Sequence, residues 1–491
     1  MAIQTKTRKA RERSIGKWLR GKWPSTTLNA ALGICVAMAA AVPADAQITP
    51  TIRLGIAHTD NVQLAAENGD DETIVLLEPA LLIDYQSERI TSAVDYRMQA
   101  LEYLDGSETE VFHTGTATVT FDLLKDELFL NAGVRRDQSI SDLTQPIPVN
   151  NLPFAGNRVD RDEYFISPSF TRRIGSSVTA AGSYRQTRVE IQGGGLQNND
   201  QSLANFSLDN YLGGQGLTWA VRYNWQRVEY DIAQPFENQT ALLELGFWLN
   251  SSLRVFGSGG LESDWEVPLD PALEAETWEA GIVYSVGDRA QLTLAGGERS
   301  FGASARALLQ LTGRSSTLNV SFTQRPATLG AQPVRTDGPS APDLLFDLLD
   351  QQGQTQRFVA NRFELTWTLA LRRLNLQARG FIEERTDRTT AAGELLSDQE
   401  QDGQGLSATY QLGARTSVGL DIARQVFDLG DGTDRELIRT AINASYSLGA
   451  RTQLEFSYAY NDQDSDQIAM GPPNNADFVS NVVTLTISRT F

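Results

Sequence analysis

Two histidines, His58 and His113, are all the chain has of the side chain best suited to acid–base work near neutral pH. Paired with a serine on the outer face of a membrane protein, either would suit acyl transfer. No serine at a recognisable nucleophile motif lies near them, so both read as solvated surface histidines and the chain as a non-enzyme. A second candidate is the acidic run DQDSD, whose Asp462, Asp464 and Asp466 have the spacing that opens a calcium loop. Such a loop needs a glycine next and a carboxylate at its end, where this chain has Gln467 and Pro473. The run therefore reads as a solvated acidic loop, and no metal or other cofactor is expected. Three glycines at 193–195 lack the following lysine of a phosphate cradle and read as a plain loop.

What remains is a set of charged residues at alternate positions of otherwise apolar segments. Arg185, Arg222, Glu244, Arg254, Arg362, Glu364, Arg379, Glu383, Asp421 and Glu455 form the candidate pore lining, with Glu190, Gln226, Glu262 and Glu298 of the same pattern. Arg or Lys on a lipid-facing surface costs about 2–4 kcal/mol at mid-membrane, which turns such residues inward. Two roles stay open: guiding a hydrophilic solute, or pairing across strands to hold the wall in shape.

Strands must position these side chains. In RFELTWTLAL, Phe363, Leu365, Trp367, Leu369 and Leu371 share one face and Arg362, Glu364, Thr366 and Thr368 the other. TLNVSFTQ and QLEFSYAYN read the same way, and strict alternation marks a strand between two media. About 22 strands are expected, within a range of 16–22, with short turns alternating with longer polar links. That is the plan of a transmembrane antiparallel up-and-down β-barrel, with short periplasmic turns and longer outer loops. YQLGARTSV at 410–418 and YSLGARTQL at 446–454 then read as neighbouring turns on one rim. Gly413 and Gly449 are expected to provide backbone freedom there, with Tyr and Arg at the membrane interface. A soluble sandwich array would show linkers, and a β-helix a fixed period near 20 residues; neither is present.

The final VVTLTISRTF puts Val483, Leu485, Ile487 and terminal Phe491 on one face, so Phe491 is the candidate assembly signal for the barrel-assembly machinery. Arg489 departs from that kind of signal. A barrel this wide must be plugged or filled with water, and only residues 47–50 precede the first strand. The candidate lid is instead the longest link, 325–355, whose Leu344, Leu345, Leu348 and Leu349 gather on one side of a short helix.

Residues 1–46 carry eight basic side chains, a short apolar run and Ala44-Asp45-Ala46, the order of a secretory signal peptide; residues 47–491 form the barrel. The one cysteine, Cys35, lies in that leader. Taking eight basic and two acidic residues from totals of 42 and 61 leaves 34 and 59, a formal net charge of −25. Such a balance excludes a nucleic-acid partner.

HTDNVQLA at 58–65, EPALLIDYQSERITSAVDYRMQALEYLDG at 78–106, KDELFLNAGVRRDQ at 125–138 and GERSFGASARALLQLTGRSSTLNVSFTQ at 297–324 resemble the outer-membrane proteins associated with PEP-CTERM and exosortase systems. Thr59-Asp60-Asn61 is the sharpest motif, and the resemblance covers most of the chain after residue 46. It implies a Gram-negative outer-membrane location and a role in exopolysaccharide export, with outer-membrane lipid, polysaccharide and periplasmic export components as partners. The expected function is thus a porin-like barrel of polymer secretion; the alternative is a non-conducting envelope protein that displays acidic loops.

Overall fold

A sheet with one polar and one apolar face satisfies both when it curls into a closed wall with different media inside and out. In the computed structural model the chain does this with 22 strands in one sheet. The structure describes residues 46–106, 108–142, 145–154, 156–193, 197–210, 216–231, 235–263, 273–328, 357–389, 397–428, 433–467 and 477–491. Residues 1–45 of the expected leader lie outside this set, as do the proposed lid residues Leu344, Leu345, Leu348 and Leu349.

The strands are β1 (Gln47–Thr59), β2 (Glu72–Gln86), β3 (Ile90–Tyr103), β4 (Thr109–Leu124), β5 (Leu128–Ile140), β6 (Arg158–Ile174), β7 (Val178–Gln192), β8 (Asn199–Asp209), β9 (Gly216–Tyr230), β10 (Phe236–Trp248) and β11 (Leu253–Ser263). The second half holds β12 (Leu273–Val286), β13 (Ala290–Arg299), β14 (Gly302–Thr312), β15 (Ser316–Thr328), β16 (Arg357–Ala370), β17 (Leu374–Thr389), β18 (Gln399–Gln411), β19 (Thr416–Asp428), β20 (Thr433–Ser447), β21 (Thr452–Gln467) and β22 (Phe478–Thr490). Neighbours in sequence pair in the sheet, and β22 pairs antiparallel with β1 from Thr51↔Thr490 to Thr59↔Val482. Closure leaves no edge with unpaired backbone groups, as a membrane wall requires.

Connections alternate as expected. One rim carries links such as 87–89, 175–177, 313–315 and 448–451, and the other carries 60–71, 141–157, 264–272 and 329–356. One exception on the long-loop rim is the link between β13 and β14, only residues 300–301. Strands also run further toward that rim than expected. Asp462, Asp464 and Asp466 belong to β21, so the acidic run is strand rather than loop, and the described residues hold no group fit to bind a metal.

The GART turns sit on the short-turn rim, with Tyr410 and Tyr446 exposed on the outside. Their glycines do not do what was expected of them. Neither has a positive φ, and a Cβ at Gly413 or Gly449 would meet nothing within 4 Å. Each turn closes by an N–H bond to a threonine carbonyl instead, Gly413 to Thr416 at 3.3 Å and Gly449 to Thr452 at 3.4 Å. A left-handed glycine does occur elsewhere on this rim, at Gly175 with φ 66°.

The outside shows a continuous apolar band. On β1 Ile52, Leu54 and Ile56 are exposed, on β10 Leu243, Leu245 and Phe247, and on β22 Val483, Leu485 and Ile487. From Leu217 to Trp225 the outward face of β9 stays apolar or aromatic, roughly 20 Å along the membrane normal for a tilted strand. Beyond it, outward aromatics hand their polar atoms to the next residue up: Trp225 Nε1–H donates to Glu237 at 2.7 Å, Tyr184 to Gln186 at 2.7 Å and Tyr460 to Asp462 at 2.8 Å. Phe247, Tyr284, Tyr410 and Phe491 are exposed near the opposite rim. Two such girdles are what an aromatic ring, apolar but with a polar tip, forms at the two faces of a bilayer.

Candidate functional site: the barrel interior

Inside the long-loop end, part of the lumen is filled. On β1, β2, β3, β20, β21 and β22 the lumen side carries Ala57, Ile74, Leu76, Leu101, Tyr103, Ala441, Ala459 and Val482, which form one buried cluster. Val62 from the 60–71 link and Leu152 from the 141–157 link complete it. A second cluster joins Ile147 of the latter link to Phe381, Ala423, Phe427 and Leu437 of β17, β19 and β20. The link between β5 and β6 therefore folds inward and reaches the far strands.

Its sequence explains why it is not strand. Pro146, Pro148 and Pro153 lack the N–H that a sheet ladder needs. Several of its backbone groups find partners on the wall. Ile147 N–H donates to Gln463 Oε1 at 3.0 Å, Arg435 Nη1 to the Gln145 carbonyl at 3.0 Å, and the Tyr103 hydroxyl to the Leu152 carbonyl at 3.0 Å. Phe154 stacks on Tyr103 with ring centroids 4.0 Å apart, and its N–H donates to Val62 O at 2.7 Å. Asn157 ties the base: its Nδ2 donates to the carbonyls of Asp142 at 2.6 Å and Pro146 at 3.1 Å, and its Oδ1 accepts from Asp142 N–H at 2.7 Å.

The Thr59-Asp60-Asn61 triplet also has a physical role. Asp60 accepts from Asn481 N–H and Nδ2–H, both at 2.7 Å, while Asn61 Nδ2 donates to the carbonyls of Ala65 at 2.8 Å and Val479 at 3.0 Å. The motif stitches the seam between the first and last strands to the 60–71 link.

Along β9–β17 the wall is different. A cavity of about 890 Å³ is lined there by Arg222, Glu244, Arg254, Arg362, Glu364 and Arg379, six of the ten expected lining residues, together with Glu262, Glu279, Arg299, Arg306 and Arg325. Glu244 accepts from Arg222 and Arg254, both at 2.7 Å; Glu262 accepts from Arg299 at 3.0 Å and Glu279 from Arg306 at 2.5 Å. Glu364 accepts from Arg379 at 3.1 Å and Arg362 at 3.3 Å. Glu383 lies beside this group, fully buried, accepting from Arg385 at 2.7 Å and Arg362 at 3.0 Å.

The other expected lining residues face the lumen but stand apart. Arg185 pairs with Glu163 at 3.1 Å, Glu455 with Arg53 at 3.6 Å, and Asp421 accepts from Ser407 at 2.6 Å and Asn443 at 2.9 Å. Two of the wider set are outward. Glu298 pairs in register with exposed Trp278, and Glu190 lies on the outer side with Arg188 at 3.6 Å. Both sit near the long-loop rim, above the lipid band, where charge is not penalised. Glu279, Arg299, Arg306 and Arg325 are lining residues that the sequence pattern does not single out. Around β13, small residues occupy both faces in LAGGER and FGASARA, and no alternation marks the inner side.

The histidines occupy the outer face. His113 Nδ1 lies 2.7 Å from the Tyr96 hydroxyl with the two rings stacked, and His58 Nδ1 lies 3.2 Å from Thr73 Oγ1. Neither contact is a Ser–His pair. Phe491 is exposed on the lipid side, with the Arg489 guanidinium 5.4 Å from its ring centroid and its N–H bonded to Pro50 O at 2.9 Å. Arg489 thus covers the terminal ring instead of adding an apolar neighbour.

No protein-family model and no curated protein match the sequence. Among solved structures, the chain is similar to a mutant of the ferric enterobactin receptor PfeA of Pseudomonas aeruginosa, with 10% identity, TM-score 0.47, and 92% of this chain and 81% of that one covered. It is also similar to the siderophore receptor PirA of Pseudomonas aeruginosa at 8% identity, TM-score 0.44, 92% and 81% covered. A third is OccAB3 of Acinetobacter baumannii at 10% identity, TM-score 0.37, 91% and 100% covered. Likenesses this distant say nothing of activity, and the assignment of a closed 22-stranded barrel of outer-membrane type rests on strand register and the apolar band.

Proposed function

We propose that the protein is a pore of the Gram-negative outer membrane that passes a hydrophilic solute along its β9–β17 wall, past the inward-folded 141–157 segment. The observation that carries this reading is the polar cavity of about 890 Å³ on one side of a lumen whose other side carries apolar packing toward the long-loop end. A purely structural barrel has no need to keep a charged cavity beside a well-packed core. Export of exopolysaccharide, with periplasmic export components as partners, is the finer version and rests on the resemblance of residues 58–65, 78–106, 125–138 and 297–324. In that version the 141–157 segment must swing aside for a polymer, and Asn157 is its tether. Single-channel recording of the purified, folded protein in planar bilayers tests the pore. Discrete conductance steps are expected; silence from a correctly folded barrel would favour the non-conducting envelope protein.

A further inference from the structure

The chain as a whole is acidic, with a formal net charge of −19, yet the cavity reverses that sign. Among the described residues, seven arginines and four glutamates line it. The surplus alone does not decide what the cavity attracts, because paired charges largely cancel. Which partner faces the water decides it.

In most of the pairs the guanidinium is the exposed member. Arg222 is 38% exposed against 6% for Glu244, Arg299 is 26% against 1% for Glu262, and Arg306 is 38% against 27% for Glu279. Glu364 runs the other way, at 22% against 12% for Arg362. Each of these carboxylates holds its guanidinium at 2.5–3.0 Å, which orders the planar fork. Ordering such a side chain normally costs entropy, and here the wall has already ordered it. The space is also of ligand size: about 890 Å³ falls within the ~300–1,000 Å³ of small-molecule sites.

We propose that this cavity is a binding site for a carboxylate-bearing hydrophilic solute, docked on Arg222, Arg299 and Arg306. The site deepens the pore reading and relies on it only for how the solute arrives. Carboxylates are carried both by acidic saccharides and by small organic acids, and the chemistry of recognition is the same for each: bidentate N–H···O bonds from guanidinium forks.

Equilibrium binding to the detergent-solubilised, folded barrel tests the site without any need for conductance. The probes are trigalacturonate, tricarballylate and neutral maltotriose. Either acidic probe is expected to bind at least about tenfold more tightly than maltotriose, with affinity falling as salt rises. Tighter trigalacturonate points to an acidic saccharide and tighter tricarballylate to a small acid; both support the site. The double variant Arg222→Gln/Arg306→Gln should lose at least about tenfold in acidic-probe affinity, while Arg222→Lys/Arg306→Lys keeps most of it. Should the Gln variant not assemble, the salt dependence and probe ranking of the unaltered protein decide. Equal binding of maltotriose, or undiminished acidic binding in a folded Gln variant, would overturn the proposal. A conducting pore with no carboxylate preference would refute this site and leave the pore reading intact.

Discussion

The lumen side of β1–β3 and β19–β22 and that of β9–β17 are made from the same alternating strands, yet they end in opposite states. On the first, the inward positions toward the long-loop rim include Ala57, Ile74, Leu76, Leu101, Leu437 and Val482, and the inward-folded 141–157 segment packs on them, while Arg53, Asp421 and Glu455 face the lumen nearer the short-turn rim. On the second, Arg and Glu pairs stand among smaller polar and apolar inward residues such as Thr240, Ser258 and Val283, and space remains. The difference lies in what can be desolvated. An apolar inner face gains free energy when a chain segment covers it, about 25 cal/mol per Å² of apolar surface. A face of paired charges resists cover, because any group that displaces water must replace every hydrogen bond the water made. The barrel therefore needs no separate plug domain to divide its interior into closed and open parts.

Breaking the seal should have the largest effect. Replacing residues 146–153 with two glycines removes Leu152 from the first cluster and Ile147 from the second. Conductance is expected to rise about twofold or more, measured in planar bilayers, with a parallel rise in uptake of large antibiotics by cells. Glu383→Gln strikes the charged side: two guanidiniums, Arg362 and Arg385, lose a buried counter-charge. A loss of about 3–5 kcal/mol in barrel stability is expected, read from urea unfolding in lipid vesicles.

Asn157→Ala loosens the tether without emptying the clusters and should cost about 1–2 kcal/mol locally, seen as faster hydrogen exchange at Ile147, whose N–H is bonded to Gln463. Gly260→Ala should destabilise by about 1–3 kcal/mol in the unfolding assay, because a Cβ there would run into the Ala241 carbonyl oxygen of the neighbouring strand. Gly413→Ala is the sharpening contrast: its Cβ enters open space at an ordinary φ, so stability should change by less than about 0.5 kcal/mol.

How far the molecule can be read from its sequence follows from the range of each signal. Alternation is local, so RFELTWTLAL places Arg362 and Glu364 inside without any knowledge of partners. Where small residues fall on both faces, as at Gly296-Gly297, the local signal vanishes, and Glu298 reads as inward although it faces out. The acidic run reads as a loop because its spacing opens like a calcium loop. Asp462 lies above the lipid band, where an outward carboxylate costs nothing and the strand continues regardless. Hardest of all is the inward-folded segment. Its prolines announce that 145–153 is not strand, but its hydrogen-bond partner Gln463 is 316 residues away and is brought near by closure of the sheet. Length alone points instead to the 325–355 link, whose leucines lie outside the described residues.

The most direct test of a divided lumen uses single cysteines, read as thiol-reagent block of single-channel current. Ser258→Cys places a thiol in the polar cavity, and Val482→Cys places one in the apolar seal. A water-soluble, bulky thiol reagent should cut the current through the Ser258→Cys barrel and leave that through the Val482→Cys barrel unchanged. Equal block at both positions, or block at Val482→Cys alone, would contradict the division of the interior into a sealed side and an open one.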